Sequence, residues 1–291
     1  MNTAEPSIRI RCFADFTTSE VVAGKYERIL SEKVRDFSDY GIHKKYSFTC
    51  GEDYTHVFIF NKAMPQINHI PKENVIGFAQ EPIQFLGLTT EFVEYAQKHI
   101  HKYYLGDKLN LPEPFTEGNS FLFSYDMPLS PSIPKIKFMS IMISQKISAP
   151  GHQYRHQLVR HILNSRLPID IYGRGCIYYK TNDSRIKGGF ENNELYDGYQ
   201  FTICIENYES NHYFSEKIIN PLLSNITPFY LGCRNINSYF PNMLHHLSGD
   251  AAQDMELLRQ AFSDPAKYIK QIDIENVVQT VDLVANLKKL L

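Results

Sequence analysis

Several hallmarks of common protein classes are missing from this chain of 291 residues. It has no tryptophan, an absence from which no function follows, and no run of about eighteen apolar residues, the length that a membrane-spanning helix requires. The amino-terminal segment, Met-Asn-Thr-Ala-Glu-Pro, lacks the basic region and the apolar stretch of a secretory signal peptide. The formal net charge of -2 provides no basic surface for nucleic acid. We therefore expect neither a transmembrane segment nor a nucleic-acid partner.

The cysteines and the short chemical motifs narrow the choice further. The five cysteines are odd in number and show no C-x-x-C spacing, which favours a reducing compartment over a disulfide framework or a zinc cluster. No Asp-x-Asp motif is present, so we expect a site without metal, at which a divalent ion would be an accessory. The absence of G-x-G-x-x-G and G-K-[ST] loops disfavours dinucleotide oxidoreductases and P-loop enzymes. The predicted location is the cytoplasm.

Strand and helix patterns alternate along the chain, and its length favours two domains. The segment from Leu109 to Pro134 is rich in proline and serine, as linkers are. We therefore predict an α/β fold with an amino-terminal domain over 1–130 and a carboxyl-terminal domain over 131–291. The polar segment 177–194 is predicted to be a loop. Amphipathic helices end the chain, and the last of them could cross back onto the first domain.

The most informative stretch runs from Tyr199 to Lys217. Apolar and small polar residues alternate over 201–205, which predicts a buried strand, and Ser215 opens a helix with an apolar stripe. Such a junction favours an anion, because backbone N–H groups and the helix dipole meet there. Lys217 lies in the first helical turn, where a cation is unfavourable unless a phosphate is near, and Glu216 could bind two sugar hydroxyls. An ordinary surface Glu–Lys pair would leave the same pattern.

Two further strand ends are followed by charged residues. The strand pattern of Asn74–Pro82 delivers Glu81 at its carboxyl end, where ligands bind in open α/β sheets. A solvated carboxylate at a strand end would look the same. The predicted strand 137–143 is followed by Lys146 and by a predicted helix over 154–163, whose first turn contains Arg155. Arg155 is thereby expected to point towards the crevice that the two domains share.

Four blocks of this region carry a family resemblance: Phe201–Asn207, Tyr213–Ile218, Thr227–Gly232 and Tyr239–Pro241. In this order they resemble the pattern of family-10 glycosyltransferases, roughly F-x-L-x-F-E-N, Y-[VF]-[TS]-E-K, P-[VI]-x-x-G and F-x-P. These are the α1,3/α1,4-fucosyltransferases that use GDP-fucose. Similarity outside the four blocks is weaker. The resemblance implies a GT-B type fold, in which two Rossmann-like domains face a central cleft.

The resemblance also implies roles for individual residues. Glu81 matches the segment that carries the catalytic base of the family, and Arg155 matches an arginine that contacts the diphosphate of the donor. Lys217 and Lys146 would add positive charge near the phosphates. The other donor-binding residues would lie at the start of the helix or orient the ribose and the donor sugar: Asn207, Tyr213, Ser215 and Glu216.

The expected activity is inverting glycosyl transfer. A carboxylate would take the proton of the acceptor hydroxyl, while cations and a helix N-terminus stabilise the leaving diphosphate. The reaction would move L-fucose from GDP-fucose to a glycan, with no cofactor beyond the donor. Alternatives are the same scaffold with another donor, such as UDP-xylose or a different GDP-sugar, and a carbohydrate-binding protein without activity. Animal relatives have an amino-terminal anchor, and no apolar stretch of that kind is seen in this sequence. The chain is therefore expected to resemble the soluble microbial or viral form.

Overall fold

The computed structural model describes residues 8–37, 46–120, 133–191, 193–281 and 283–291. Contacts within the chain divide these residues into two compact units. The first contains the described residues up to 120, together with 211–213 and 280–291, and the second contains the described residues of 133–210 and 214–279. The predicted domain boundary near residue 130 lies outside the described residues.

The first unit is built on a parallel sheet. Its strands within the described ranges are β1 (Ile8–Ala14), β2 (Tyr46–Thr49), β3 (His56–Phe60), β4 (Val75–Phe78), β5 (Lys102–Leu105) and β6 (Phe115–Glu117). They pair in the order β2-β1-β3-β4-β5-β6. The connections contain the helices α1 (Ser19–Phe37), α2 (Ile83–Leu86) and α3 (Thr90–His99), and the 3-10 helix Lys72–Asn74.

Both faces of this sheet are covered, as the apolar sequences of its central strands predict. Phe58 of β3 belongs to a buried cluster with Tyr26 of α1 and with Leu287 near the carboxyl end of the chain. Val57, the preceding residue, points to the opposite face and belongs to a second cluster with Phe92 of α3. The end of the chain therefore packs on the first unit.

The second unit is built on another parallel sheet. Its strands within the described ranges are β7 (Lys137–Met142), β8 (Ile169–Tyr172), β9 (Ile186–Gly188), β10 (Tyr199–Ser210), β11 (Thr227–Cys233) and β12 (His245–His246). They pair in the order β12-β11-β10-β7-β8-β9.

Helices follow β7 along the rest of the chain, and the last of them groups with the first unit. They are α4 (Pro150–Leu163), α5 (Glu216–Leu223), α6 (Ala251–Ser263), α7 (Pro265–Tyr268), α8 (Ile274–Val281) and α9 (Leu283–Leu290), with 3-10 helices at Arg174–Tyr178 and Ile236–Ser238. The predicted alternation in β10 places Phe201, Ile203 and Ile205 in a buried core with Leu158 of α4.

Two short strands lie in segments for which no strand was predicted. The strand β6 lies inside the segment that was predicted to be a linker, and β9 lies inside the predicted loop 177–194. Three residues are too few to show a period of two, and each strand forms only because a partner strand, β5 or β8, offers its backbone groups. The linker and loop predictions are wrong for these residues.

Two element boundaries near the predicted site also differ. The strand β4 ends at Phe78, so Glu81 lies beyond the strand, in the segment that leads into α2. The helix α4 begins at Pro150 instead of Tyr154, because the fixed φ of proline suits the first helical position. Arg155 therefore lies in the second turn of the helix, not in the first.

The strand order of each sheet reverses once, between β1 and β3 in the first unit and between β7 and β10 in the second. In open α/β sheets, ligands bind outside the carboxyl ends of the strands at such a switch point. Ligand sites are therefore expected at the carboxyl ends of these two strand pairs.

Candidate active site

The carboxyl end of β10 lies directly against the beginning of α4. A β-carbon on Gly151 would stand 1.7 Å from the carbonyl oxygen of Glu206 and 3.0 Å from that of Asn207. Any side chain at this position would force the helix away from the strand. Glycine therefore allows the first turn of α4 to meet Glu206 and Asn207.

Arg155 extends from the second turn of α4 back to the start of the helix and across to β10. Its Nε donates to the carbonyl oxygen of Gly151 at 3.1 Å, and its Nη2 donates to Oδ1 of Asn207 at 2.8 Å. Arg155 is only 3% exposed, so its guanidinium charge is fixed in place. The structure thus brings together Arg155 and Asn207, two predicted donor-binding residues.

Glu206 holds the start of α5 from the end of β10. Its carboxylate, in a residue 1% exposed, accepts hydrogen bonds from the backbone N and from Oγ of Ser215, each at 2.9 Å. Ser215 caps α5 as predicted, since its Oγ accepts from the backbone N of Lys217 at 3.4 Å. Glu206 is therefore a buried anchor for the start of the helix.

Lys217 lies between two carboxylates. Its Nζ is 3.4 Å from Oε2 of Glu206 and 3.1 Å from Oε1 of Glu216. These negative charges offset the unfavourable position of a lysine at the positive end of a helix dipole. The Glu216–Lys217 pair is therefore one edge of a partly buried ion cluster, since the side chain of Lys217 is 15% exposed and that of Glu216 is 46% exposed.

Both members of this pair are held in their charged forms. Burial lowers the pKa of the Lys217 ammonium, but the carboxylates of Glu206 and Glu216 outweigh burial, and the net pKa is raised. Burial raises the pKa of the Glu216 carboxyl, but the charge of Lys217 and the surrounding hydrogen bonds outweigh it, and the net pKa is lowered.

His152, a residue that the sequence did not single out for this site, lies in the first turn of α4. It is 2% exposed, and its Nδ1 accepts a hydrogen bond from the backbone N of Ala149 at 3.2 Å. Burial and the charges of Arg155, Lys146 and Lys217 lower the pKa of His152 to about 4, although a hydrogen bond with Asn207 opposes this shift. The imidazole is therefore neutral near pH 7. No sequence motif marks this residue, because burial, the main cause of the shift, arises only when the unit folds.

Lys146 and Tyr213 are the two remaining predicted donor-binding residues. Lys146 is exposed after β7, where its backbone N donates to Oγ of Ser144 at 3.3 Å. Tyr213 is 3% exposed and belongs to the segment 211–213, which groups with the first unit. In that unit, Nδ2 of Asn211 donates to Oδ1 of Asp107 at 2.8 Å. The predicted role of Tyr213 towards the donor sugar stays a prediction.

Glu81 lies in the first unit, at the other switch point. It is partly buried and lines a cavity of about 550 Å³ beyond the carboxyl ends of β1, β3 and β4. The lining contains the oppositely charged Asp15 and Lys62 and the exposed rings of Phe16 and Phe85. Asn61, Gln80 and Leu86 complete it. A carboxylate in such a cavity can receive a proton from a bound hydroxyl group.

Residues 134–273 match the model of the family described as Glycosyltransferase family 10 (fucosyltransferase) C-term. This range contains β7 to β12 and all of the positive cluster of Lys146, Arg155 and Lys217. Residues 134–273 form a family-10 glycosyltransferase domain. The family predicted from four short motif blocks is thereby confirmed.

A curated relative of this family-10 domain is a putative fucosyltransferase of Acanthamoeba polyphaga mimivirus. It is 28% identical over an alignment of 153 positions, and the match covers 45% of this chain and 24% of the relative. The chain thus spans about a quarter of the length of the curated relative that it matches.

Solved structures confirm the predicted GT-B fold class. The structure of Anabaena HepE in complex with UDP and glucose has a TM-score of 0.63, at 12% identity over 97% of this chain and 98% of that chain. An α1,3-fucosyltransferase with GDP has a TM-score of 0.53, at 12% identity over 98% of this chain and 92% of that chain. At such low identity the likeness concerns the fold alone.

Two kinds of feature are absent from the residues that the structure describes. None of their helices is both long enough and apolar enough to cross a bilayer. Nor do three or more histidine, cysteine, aspartate or glutamate side chains gather there into a group that could hold a metal ion.

Proposed function

We propose that this protein is a glycosyltransferase that moves L-fucose, with inversion, from GDP-fucose to a hydroxyl group of a glycan. One observation carries the proposal: Arg155, held by Asn207 at the end of β10, and Lys217, in the first turn of α5, line the same cavity. Cations beside two helix N-termini suit a diphosphate. The family-10 domain and the GDP complex of an α1,3-fucosyltransferase of similar fold support GDP-fucose as the donor.

The residues of the second unit would bind the donor and stabilise the leaving group. GDP leaves as a diphosphate that needs no proton, only positive charge where negative charge accumulates, and Arg155 and Lys217 would supply it. The half-exposed carboxylate of Glu216 would accept hydrogen bonds from sugar or ribose hydroxyls. Asn207, Ser215 and Tyr213 would orient the donor, and Lys146 would add charge from the exposed side. An accessory divalent ion would act on the same phosphates.

Glu81 would be the base. An acceptor hydroxyl is a weak nucleophile, and removal of its proton as it attacks the anomeric carbon requires a positioned carboxylate or histidine. With one base and no covalent nucleophile, the sugar is displaced in a single step, which inverts the anomeric configuration. The partly buried position of Glu81 in a cavity with exposed aromatic rings supports this role.

Release of GDP from GDP-fucose by the purified protein tests the proposal, with and without a panel of glycan acceptors. We expect Lys217→Ala to lower the rate of release by about 10²–10³-fold, as removal of other electrostatic groups does. Lys180→Ala, which removes an exposed lysine of the same unit, is the matched control. We expect Glu81→Gln to lower transfer by about 10²–10⁴-fold and to leave donor binding nearly intact. Transfer at the wild-type rate in Glu81→Gln would rule out this base, and donor binding without release would favour a carbohydrate-binding protein.

A second candidate donor is a UDP-sugar. The solved structure of HepE, which has a similar fold, contains UDP and glucose. The fold can therefore hold a uridine nucleotide as well as a guanosine nucleotide. A panel of nucleotide sugars in a thermal-shift assay separates the candidates, because a bound donor raises the melting temperature by mass action. A larger shift with a UDP-sugar than with GDP-fucose would replace GDP-fucose as the proposed donor.

A further inference from the structure

Asn61 follows β3 at the switch point of the first unit and has an unusual backbone conformation. Its φ angle is 54°, in the left-handed region that asparagine tolerates better than most other non-glycine residues. It is only 7% exposed, although it is polar and lies in a loop. Both its conformation and its burial require specific partners.

Four hydrogen bonds fix Asn61 to the surrounding strands. Its backbone N donates to the carbonyl oxygen of Phe78 at 2.9 Å, and its carbonyl oxygen accepts from the hydroxyl of Tyr103 at 2.7 Å. Its side-chain Oδ1 accepts from the backbone N of Gln80 at 2.9 Å, and its Nδ2 donates to Oδ1 of Asp15 at 3.2 Å. A single side chain thus joins the ends of β1 and β3 to the segment after β4.

That segment ends in Glu81. Gln80, the residue before it, is held by Asn61 on one side, and its Nε2 donates to the carbonyl oxygen of Ser120 at 2.8 Å on the other. Pro82 follows directly and restricts the backbone of Glu81. The position of the Glu81 carboxylate therefore depends on how firmly Gln80 is held.

We propose that Asn61 is a positioning residue for Glu81: its side chain ties Gln80 to Asp15 and so sets where the carboxylate stands in the cavity. This inference rests on the proposed role of Glu81 as the base. Asparagine suits the task because it offers one acceptor, for Gln80, and one donor, for Asp15, in a left-handed backbone conformation. Glutamine is the other uncharged side chain whose amide offers a donor and an acceptor, and it is one methylene longer.

The first test separates the side chain from the backbone. Asn61→Gly keeps the left-handed conformation and removes only the side-chain hydrogen bonds. We expect kcat for transfer to fall by about 10–100-fold, because small displacements of a catalytic group are costly, while the dissociation constant for GDP-fucose stays unchanged. Asn74→Ala is the matched control, since it removes one hydrogen bond, from Nδ2 to the carbonyl oxygen of Thr55 at 3.1 Å. Asn74 directly precedes β4 and therefore lies at the other end of that strand from Glu81. We expect this control to keep its kcat per folded molecule.

The second test exchanges donor and acceptor. Asn61→Asp alone keeps an acceptor for Gln80 but sets two carboxylates against each other. Combined with Asp15→Asn, the same change lets the amide at position 15 donate to the carboxylate at position 61. The hydrogen bond between the two positions is thereby restored in the reverse direction. We expect the double variant to recover most of the kcat that Asn61→Gly loses, a rescue that a general loss of stability would not produce.

The outcomes are distinct. A wild-type kcat in Asn61→Gly, or a double variant as slow as Asn61→Gly at an unchanged melting temperature, would overturn the positioning role. If Glu81→Gln is inactive while Asn61→Gly is fully active, only this inference fails. If Glu81→Gln itself keeps its transfer activity, the proposed base fails instead. Should Asn61→Gly not fold, the double variant still decides, because it retains the hydrogen bonds.

Discussion

Replacing Glu206 by glutamine would remove one buried charge and change the shape of the side chain very little. The glutamine could still accept from the backbone N of Ser215, but Lys217 would lose its buried charged partner at 3.4 Å and keep the half-exposed Glu216. Breaking a buried ion pair costs about 3–5 kcal/mol when the other charge is left alone. Because Glu216 and Oγ of Ser215 remain near Lys217, we expect a loss of about 2 kcal/mol.

For a unit of this size, that loss corresponds to a fall of about 4–8 °C in melting temperature, measured by circular dichroism. Glu216→Gln is the control, since it removes the exposed partner of the same lysine, and a pair of this kind contributes less than about 1 kcal/mol. A smaller fall for Glu206→Gln than for Glu216→Gln would refute the conclusion that the buried carboxylate anchors α5. An unchanged melting temperature in both variants would refute it equally.

Two further predictions concern the start of α4. His152 has a pKa of about 4 instead of its usual 6.5, so its neutral form stabilises the fold above pH 6.5, and this contribution is lost as the pH falls towards 4. Bound GDP should raise that pKa by about one unit or more, because phosphate charges favour the imidazolium. NMR titration of the imidazole with and without GDP measures the change. An unchanged pKa would contradict a diphosphate beside Arg155. Gly151→Ala should cost about 3 kcal/mol or more and weaken GDP binding, because its β-carbon would meet the carbonyl oxygen of Glu206. Gly189→Ala, whose β-carbon would meet nothing within 4 Å, should melt like the wild type, and equal behaviour of the two variants would show that α4 can move away from β10 at little cost.

The sequence alone determined the features that depend on local pattern. Alternation of apolar residues located the central strands, such as β10, and the serine before an apolar helical stripe located the start of α5 at Ser215. Four motif blocks were enough to predict the family that residues 134–273 confirm. These predictions succeeded because the period of a strand, the cap of a helix and a short motif are each written within a few neighbouring residues.

The tertiary structure alone decided which distant residues meet. Arg155 and Asn207 are joined by a hydrogen bond across separate elements, 52 positions apart in the chain. Asn61 acquires its partners only when β1, β3, β4 and β5 lie side by side. The short strands β6 and β9 likewise need a neighbouring strand to form. In each case the stabilising contact joins residues far apart in the chain, so no local pattern of side chains can indicate it.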